Sequence, residues 1–190
     1  MVIVYKQSVI KIKKGSVMTD KRNWNGIRAT VVEYCKNNNI SAVDFRFLNI
    51  FEWQNIYNHV LDTFLDYHYA KHNGLYWSNI ENGFKNDINK VFCFQEGVNG
   101  YPSYEWIKKL PQIIGSDKVY LFLEESSDKY WVAECNPEVI YQIINEALYP
   151  LDYYITDKKF NWLITENHHD VVKFLGQGIS EETIKKTLSI

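Results

Sequence analysis

Residues 118–134 of the chain have the sequence KVYLFLEESSDKYWVAE. Five consecutive apolar residues at 119–123 are typical of a strand that is buried on both faces. Residues 126–129 have the composition of a tight turn, and residues 130–134 form a second strand-like run. The segment therefore predicts a β-hairpin, with strands at residues 118–125 and 130–134, whose first strand lies inside a sheet.

The sequence after this hairpin predicts a helix, further strands and a last short helix. Asn136, Pro137 and Glu138 form a typical helix start, because asparagine caps the first amide groups, proline fits the first turn and the acid complements the helix dipole. Pro150 ends that helix near residue 148. The last helix begins at Ser180. The predicted strands between the two helices are residues 152–156, 160–168 and 171–175.

The N-terminal half predicts mainly helices. Apolar residues recur at helical spacing over residues 20–37 and again over residues 51–72. A strand is predicted at residues 91–94, and a short helix at residues 104–110, which Pro111 cuts or kinks. Two helices followed by mostly antiparallel strands, with one inserted helix, indicate an α+β fold in which the helices cover one side of the sheet.

Length and composition favour a single folded domain. The chain has 190 residues, of which 46% are hydrophobic and 23% are charged, so a fully disordered chain is excluded. We expect residues 1–17 to be a basic N-terminal extension, with Met18 as the functional start, and residues 18–190 to form one α+β domain. No apolar run is long enough for a membrane span and no signal peptide is visible, so the expected location is the cytoplasm.

Three cysteines, Cys35, Cys93 and Cys135, lie far apart in the sequence. Because no CxxC pair is present, they support neither a zinc site nor a thioredoxin-like redox site. We expect free, buried thiols in a reducing cytosol. Nucleotide-binding and nucleophile motifs are also absent, so the sequence predicts no cofactor and no bound metal.

Charge is distributed unevenly along the chain. Residues 1–28 have a net charge of +6, whereas residues 117–170 contain 11 acidic and 4 basic residues, a net charge of −7. An acidic body repels phosphates and disfavours nucleic-acid binding, but it steers a basic protein partner, for which Trp and Tyr rings provide anchors. An ordinary solvated face is the alternative. The candidate partner-binding residues are Glu124, Glu125, Asp128, Trp131 and Asp152.

A second group of candidates lies at the end of the strand predicted over residues 160–168. In a continuous strand Trp162, Glu166 and His168 share one face, and His169 lies on the other. Glu166 and His168 then form an acid–base pair or two ligands of a metal ion, and the carboxylate raises the pKa of the imidazole. The sequence identifies no third zinc ligand. The alternative interpretation is a strand end whose polar groups satisfy backbone partners.

Residues 151–155 (LDYYI), a lysine-containing turn and residues 162–168 (WLITENH) resemble the C-terminal hairpin of small bacterial proteins of the SMI/KNR-like (SUKH) immunity superfamily and related bacterial families. In those proteins a Tyr-Tyr-Ile/Val strand precedes a strand that carries a Trp and a terminal His or Asn. The resemblance covers about residues 117–176. It implies a cytosolic protein that binds and neutralises a toxin, often a nuclease, and it implies no catalysis.

Three functions follow as expectations. The first is an immunity protein that neutralises a polymorphic toxin by stoichiometric binding. The second is a small metal-dependent or acid–base enzyme that uses Glu166, His168 and His169, and the third is a structural or scaffold protein. The sequence favours the first, with a basic protein as partner and with no catalytic residue, nucleic-acid ligand or membrane contact.

Overall fold

The computed structural model of the chain describes residues 26–75, 83–126, 129–148 and 152–190, and in them seven strands form one antiparallel sheet. The strands are β1 (Phe45–Phe47), β2 (Lys90–Gln95), β3 (Val119–Ser126), β4 (Lys129–Cys135), β5 (Tyr153–Asp157), β6 (Trp162–Glu166) and β7 (Val171–Gly176). From one edge to the other their order is β1-β4-β3-β5-β6-β7-β2. The predicted α+β class is confirmed.

Helices of the described residues pack on this sheet. The α-helices are α1 (Gly26–Asn37), α2 (Ile50–Phe64), α3 (Tyr67–Asn73), α4 (Leu110–Ile114), α5 (Pro137–Tyr141) and α6 (Glu181–Leu188). A 3-10 helix at Tyr104–Lys109 leads into α4, and α5 continues as a π-helix at Gln142–Leu148. In the described part of the chain no helix is long and apolar enough to cross a membrane.

Both faces of the sheet are covered, because its inner strands are apolar on both faces. Leu121, Ile155 and Ile164 lie in one buried cluster with residues of α1, α4, α5 and α6. Phe122 and Leu163 lie on the opposite face, in a second buried cluster with residues of α2. The prediction that the helices cover one side of the sheet is therefore wrong.

The predicted hairpin at residues 118–134 is present, and its first strand lies inside the sheet. β3 pairs with β4 through Leu121↔Ala133 and with β5 through Leu121↔Ile155. β5, β6 and β7 then pair in sequence order. This register brings the ends of β3 and β6 beside the starts of β5 and β7, and the candidate residues collect at that end of the sheet.

The helix predicted over residues 51–72 is two helices. Leu65 leaves the helical path and pairs with Phe84 in an isolated β-bridge. The carboxylate of Asp66 then accepts hydrogen bonds from the backbone N–H groups two and three residues later, so α3 begins with its own N-cap. The break depends on a contact with a distant residue, which helical periodicity does not contain.

The sequence pattern does not predict β1, because three residues are too few to show a strand period. The strand pairs with β4 through Arg46↔Glu134. Asn136 fixes the start of β1. The backbone N–H of Asn136 donates to the carbonyl of Asp44, and its side-chain amide donates to the Asp44 carboxylate, both at 2.8 Å. Asn136 is the N-cap residue of α5, as predicted, but its side chain makes no capping hydrogen bond. The short helix before Pro111 is cut as predicted: the 3-10 helix ends at Lys109, and Pro111 lies in the first turn of α4.

The three thiols differ in exposure. Cys135 is buried, and burial raises the pKa of its thiol. Cys35 is half-buried, whereas Cys93 on the edge strand β2 is exposed. The expectation of buried thiols is therefore wrong for Cys93. The expected extension at residues 1–17 lies outside the described residues.

Candidate functional site

One candidate site lies where β3 ends and β5 begins. The backbone N–H of Glu124 donates to the carbonyl of Asp152 (3.2 Å), so the two residues lie side by side. Asp152 is 4% exposed. Its Oδ1 atom accepts a hydrogen bond from the backbone N–H of His168 (2.7 Å) and lies 3.1 Å from the Nδ1 atom of the imidazole. We call Glu124, Asp152 and His168 the carboxyl–histidine cluster.

The Glu124 carboxyl of this cluster holds a proton, because it is buried beside the negative charge of Asp152. Burial, together with the hydrogen bond to Asp152 and its charge, raises the pKa of Glu124 to about 8. Near neutral pH Glu124 is therefore mostly protonated. Among the described residues no hydrogen-bond partner reaches the buried Oε2 atom of Glu124. The cluster thus combines a protonated carboxyl, Glu124, with the side chain of His168, which is 40% exposed and contacts Asp152.

Two tyrosines form the buried side of the carboxyl–histidine cluster. The hydroxyls of Tyr130 and Tyr154 both donate to the carbonyl of Leu75, at 2.8 and 2.6 Å. Burial raises the pKa of both phenols, and the negative charges of Glu124 and Asp152 increase the effect. Both phenols therefore stay protonated at neutral pH, and their hydrogen bonds to Leu75 hold them in place on the buried side of the cluster.

Glu125 and Trp131 contact each other on the same hairpin. The indole N–H of Trp131 donates to Oε2 of Glu125, and Oε1 of Glu125 accepts a hydrogen bond from the N–H of Gly26 (2.9 Å) at the start of α1. The guanidinium of Arg28 lies 5.2 Å from the centroid of the Trp131 ring. Glu125 and Trp131 therefore fasten α1 to the sheet.

The structure distributes the five candidate partner-binding residues over separate places. Glu124 and Asp152 lie in the carboxyl–histidine cluster, Glu125 and Trp131 lie beside α1, and Asp128 lies outside the described residues. Each of the three described carboxylates has contacts inside the fold. They present less surface to a partner than their net charge suggests, and the steering of a basic partner stays a prediction.

Glu166 and His168 do not form the expected pair. β6 ends at Glu166, and the following residues form a tight turn. In that turn the side-chain oxygen of Asn167 accepts hydrogen bonds from the N–H groups of His169 (3.0 Å) and Val171 (2.9 Å). Because the strand is not continuous, the imidazole of His168 reaches the carboxyl–histidine cluster, whereas the carboxylate of Glu166 lies against the other face of the sheet.

Glu166 belongs to a second group of carboxylates, with Glu96 and Asp170. One oxygen of each lies within 4.8 Å of the others. The Oε2 atom of Glu166 accepts hydrogen bonds from the indole N–H of Trp106 (3.0 Å) and the hydroxyl of Tyr153 (2.5 Å). A site made only of oxygen ligands suits a hard cation such as Mg²⁺ or Ca²⁺ better than zinc. We call Glu96, Glu166 and Asp170 the acidic cluster.

Trp162 and His169 lie beside these groups. Trp162 is 6% exposed and belongs to the buried cluster under α1 and α6. The ring of His169 lies 4.1 Å from the ring of His168, measured between centroids. Trp162 is therefore a core residue, and His169 is a neighbour of the carboxyl–histidine cluster.

Sequence reasoning missed a cavity of about 350 Å³ between α1 and β1. Part of its wall is apolar and part is cationic; the lining residues include Val32, Ile40, Phe45, Arg28 and Lys36. Val32 is the signal that could have indicated the cavity. It follows Val31, which α1 buries, but it lies outside the helical stripe and is 53% exposed. We call this feature the α1–β1 groove.

One antiparallel sheet, a buried layer on each of its faces and ionisable clusters at one end define an α+β protein with helices on both sides. Residues 23–187 match the model of DUF6756, which is described as a family of unknown function, and the chain belongs to that family. No curated protein and no solved structure matches the chain. The family therefore brings no activity with it.

Proposed function

We propose that this chain is a cytosolic bacterial protein that binds another protein and neutralises it by stoichiometric occlusion, as an immunity protein does with a toxin. The apolar surface around β1 carries the proposal. Of the eight large apolar side chains that the described residues expose, half lie between residues 32 and 51. These four are Val32, Val43, Ile50 and Phe51, of which Phe51 is 86% exposed. Exposed apolar side chains in the segments that flank an edge strand are typical of a protein-binding surface.

The choice of a toxin as the partner rests on the resemblance of residues 117–176 to immunity proteins of the SUKH superfamily. These residues contain the five consecutive strands β3 to β7, so the resemblance covers one continuous part of the sheet. The net charge of −7 over residues 117–170 supports a basic toxin by long-range attraction.

A protection assay tests this proposal, with the C-terminal domain of a toxin encoded immediately beside this chain as the probe. We expect co-expression of the chain to restore the growth of cells that produce this domain, and the purified pair to form a 1:1 complex by native mass spectrometry. Phe51→Ser should weaken the complex about tenfold or more, because an exposed ring that becomes buried acts as an interface anchor.

Val98→Ser is the matched control, since Val98 is also exposed but lies far from β1 in the sequence. This variant should bind like the unmodified chain. Cells that remain unprotected, a toxin gene that is absent from the neighbourhood, or a complex that tolerates Phe51→Ser would each contradict the proposal.

The carboxyl–histidine cluster favours acid–base catalysis as a second candidate function. Glu124 holds a proton at neutral pH, and the exposed imidazole of His168 lies on the same Asp152 carboxylate. A protonated acid and a histidine that lie beside the same carboxylate are groups that general acid–base catalysis uses. This candidate replaces the expected set of Glu166, His168 and His169 with residues that the fold brings together.

The ratio of the chain to the toxin separates the two candidates. An occluding protein protects only at about one copy per toxin, whereas an enzyme protects at a small fraction of that ratio. Glu124→Gln and His168→Ala should leave both binding and protection unchanged if the chain acts by occlusion. Loss of protection with an intact 1:1 complex, or stoichiometric zinc or manganese that His168→Ala removes, would favour the enzyme.

A further inference from the structure

β1 is an edge strand with backbone groups that face away from the sheet. Asp44 and Leu48 form 2.8 Å backbone hydrogen bonds toward the β4 side. Because backbone groups alternate in direction along an antiparallel strand, those of Phe45 and Phe47 point outward. The N–H of Phe45 donates to the carbonyl of Ser41 (3.0 Å). In the described part of the chain no backbone hydrogen bond uses the N–H of Phe47 or the carbonyls of Phe45 and Phe47.

The α1–β1 groove lies directly beside this open edge. Phe45 and Phe47 line it together with exposed Val32. Arg28 and Lys36 also line it, and within the described residues neither forms an ion pair, although Arg28 lies over the ring of Trp131. The groove therefore combines backbone groups that no other described residue uses, apolar contact area and two positive charges.

Arg46 also lines the groove, but its charge is already compensated. Its guanidinium contacts the carboxylates of Glu52 (3.0 Å) and Glu134 (2.7 Å). The backbone of Asn49, and then Arg46, lowers the pKa of Glu52. Lys158, and then Arg46, lowers the pKa of Glu134, so both carboxyls stay ionised near neutral pH. The positive field of the groove therefore comes from Arg28 and Lys36.

We propose that the edge of β1 binds an extended acidic segment of a partner protein, which adds to the sheet as an eighth strand. The segment forms up to three backbone hydrogen bonds with Phe45 and Phe47, inserts an apolar side chain between α1 and β1, and places carboxylates next to Arg28 and Lys36. This mode rests on the proposed function of protein binding. The partner therefore has an acidic segment at this contact, even where the net charge of the whole partner is basic.

The N-terminal part of the chain itself does not have this chemistry. Residues 1–25 contain six Lys and Arg residues and one acidic residue, Asp20. Their charge has the same sign as that of the groove, so electrostatics disfavours them as the occupant. Charge complementarity favours an external acidic segment.

Selection of random decapeptides on the immobilised full chain tests this inference without any toxin. We expect enriched peptides in which apolar residues alternate with Asp or Glu. A synthetic copy of one such peptide should shift the backbone amide resonance of Phe47 in a ¹H–¹⁵N spectrum. Lys36→Glu with Arg28→Glu should weaken its binding about tenfold at low salt, and added salt should weaken binding to the unmodified chain.

Lys90→Glu with Lys159→Glu is the matched control, because both lysines are exposed and lie away from the groove. This double variant should bind the peptide like the unmodified chain. If the Arg28 substitution impairs folding, Lys36→Glu alone tests the charge, because Lys36 is exposed near the end of α1. Failure to enrich acidic peptides, shifts elsewhere than β1, equal loss in the control, or a concentration-dependent dimer through β1 would overturn the inference. Failure of toxin protection with intact peptide binding would reject the immunity function and leave the groove inference standing.

Discussion

The carboxyl–histidine cluster and the acidic cluster lie at the same end of the sheet, on opposite faces. In the acidic cluster two ring donors, the indole N–H of Trp106 and the hydroxyl of Tyr153, bind the carboxylate of Glu166. In the carboxyl–histidine cluster the nearest hydroxyls, those of Tyr130 and Tyr154, donate to the backbone carbonyl of Leu75 instead. The same types of side chain are therefore arranged in two different ways.

This difference determines what each cluster does. A carboxylate that receives hydrogen bonds from donors is stabilised as an anion and contributes to the stability of the fold. A carboxyl that is buried and also lies beside another carboxyl keeps its proton, as Glu124 does beside Asp152. The comparison therefore predicts a structural role for Glu166 and a proton-linked role for Glu124.

Glu166→Leu should have the largest effect on stability. The substitution leaves the indole N–H of Trp106 and the hydroxyl of Tyr153 without their acceptor in a site where both residues are almost fully buried. Each unsatisfied buried donor costs about 1–3 kcal/mol, so the free energy of unfolding should fall by about 3 kcal/mol. Urea denaturation measures this loss. Exposed Glu138→Ala is the control, with an expected change within about 0.5 kcal/mol.

A loss below about 1 kcal/mol for Glu166→Leu would remove the distinction between the two clusters. It would show that water or neighbouring groups replace Glu166 as acceptor, and that the ring donors do not fix its role.

Glu124→Gln should change the pH dependence of stability. The raised pKa of Glu124, about 8 against an ordinary value of 4.5, means that the unfolded chain releases this proton at lower pH than the folded chain. The stabilisation that Glu124 provides is complete below about pH 4.5, declines between about pH 5 and 8, and is lost above that range. A glutamine has no proton to lose, so Glu124→Gln should remove this decline.

Melting temperatures at about pH 5, 6.5 and 8 measure this effect, with exposed Glu138→Gln as the control that keeps the wild-type profile. A profile of Glu124→Gln that runs parallel to that of the unmodified chain would show that Glu124 is ionised throughout this range.

Asp152→Asn tests the cause of the raised pKa of Glu124. The amide removes the negative charge beside Glu124 but leaves its burial unchanged, and burial is the largest cause of the shift. The pKa of Glu124 should therefore fall below about 8 and stay above its ordinary value, measured by ¹³C NMR of the side-chain carboxyl carbon. Asp157→Asn, at the other end of β5, should leave it unchanged. An unchanged pKa in Asp152→Asn would assign the whole shift to burial.

Local sequence patterns predicted much of the sheet. β3 with β4, β5, β6, β7 and the start of α6 follow from alternation, apolar runs and turn residues, because each of these signals lies within a few consecutive residues. β1 is the exception, since its position depends on pairing with β4 and on the side chain of Asn136 rather than on its own three residues.

The carboxyl–histidine cluster could not be predicted as one site, although all three of its residues were candidates. Glu124 and Asp152 are 28 positions apart and meet only through the register of β3 and β5, in which Leu123 pairs with Tyr153. His168 joins them because β6 ends two residues earlier than alternation predicts. Side-chain chemistry is readable from the sequence, but strand register and strand ends decide which groups meet.

His168→Ala should have the smallest of these effects, and its comparison with His169→Ala shows how much the imidazole contributes to the cluster. The Oδ1 atom of Asp152 keeps the backbone N–H of residue 168 in either variant, so the acceptor stays satisfied. His168→Ala should therefore lower the free energy of unfolding by only about 0.5–1 kcal/mol, since the imidazole is partly exposed and screened by water. His169→Ala should change it by less, because within the described ranges the contact of its imidazole is the ring contact with His168. A loss of about 2 kcal/mol or more in His168→Ala would show that the imidazole, and not the backbone N–H, holds Asp152 in place, and the histidine would then be a structural part of the cluster rather than its solvent-facing group.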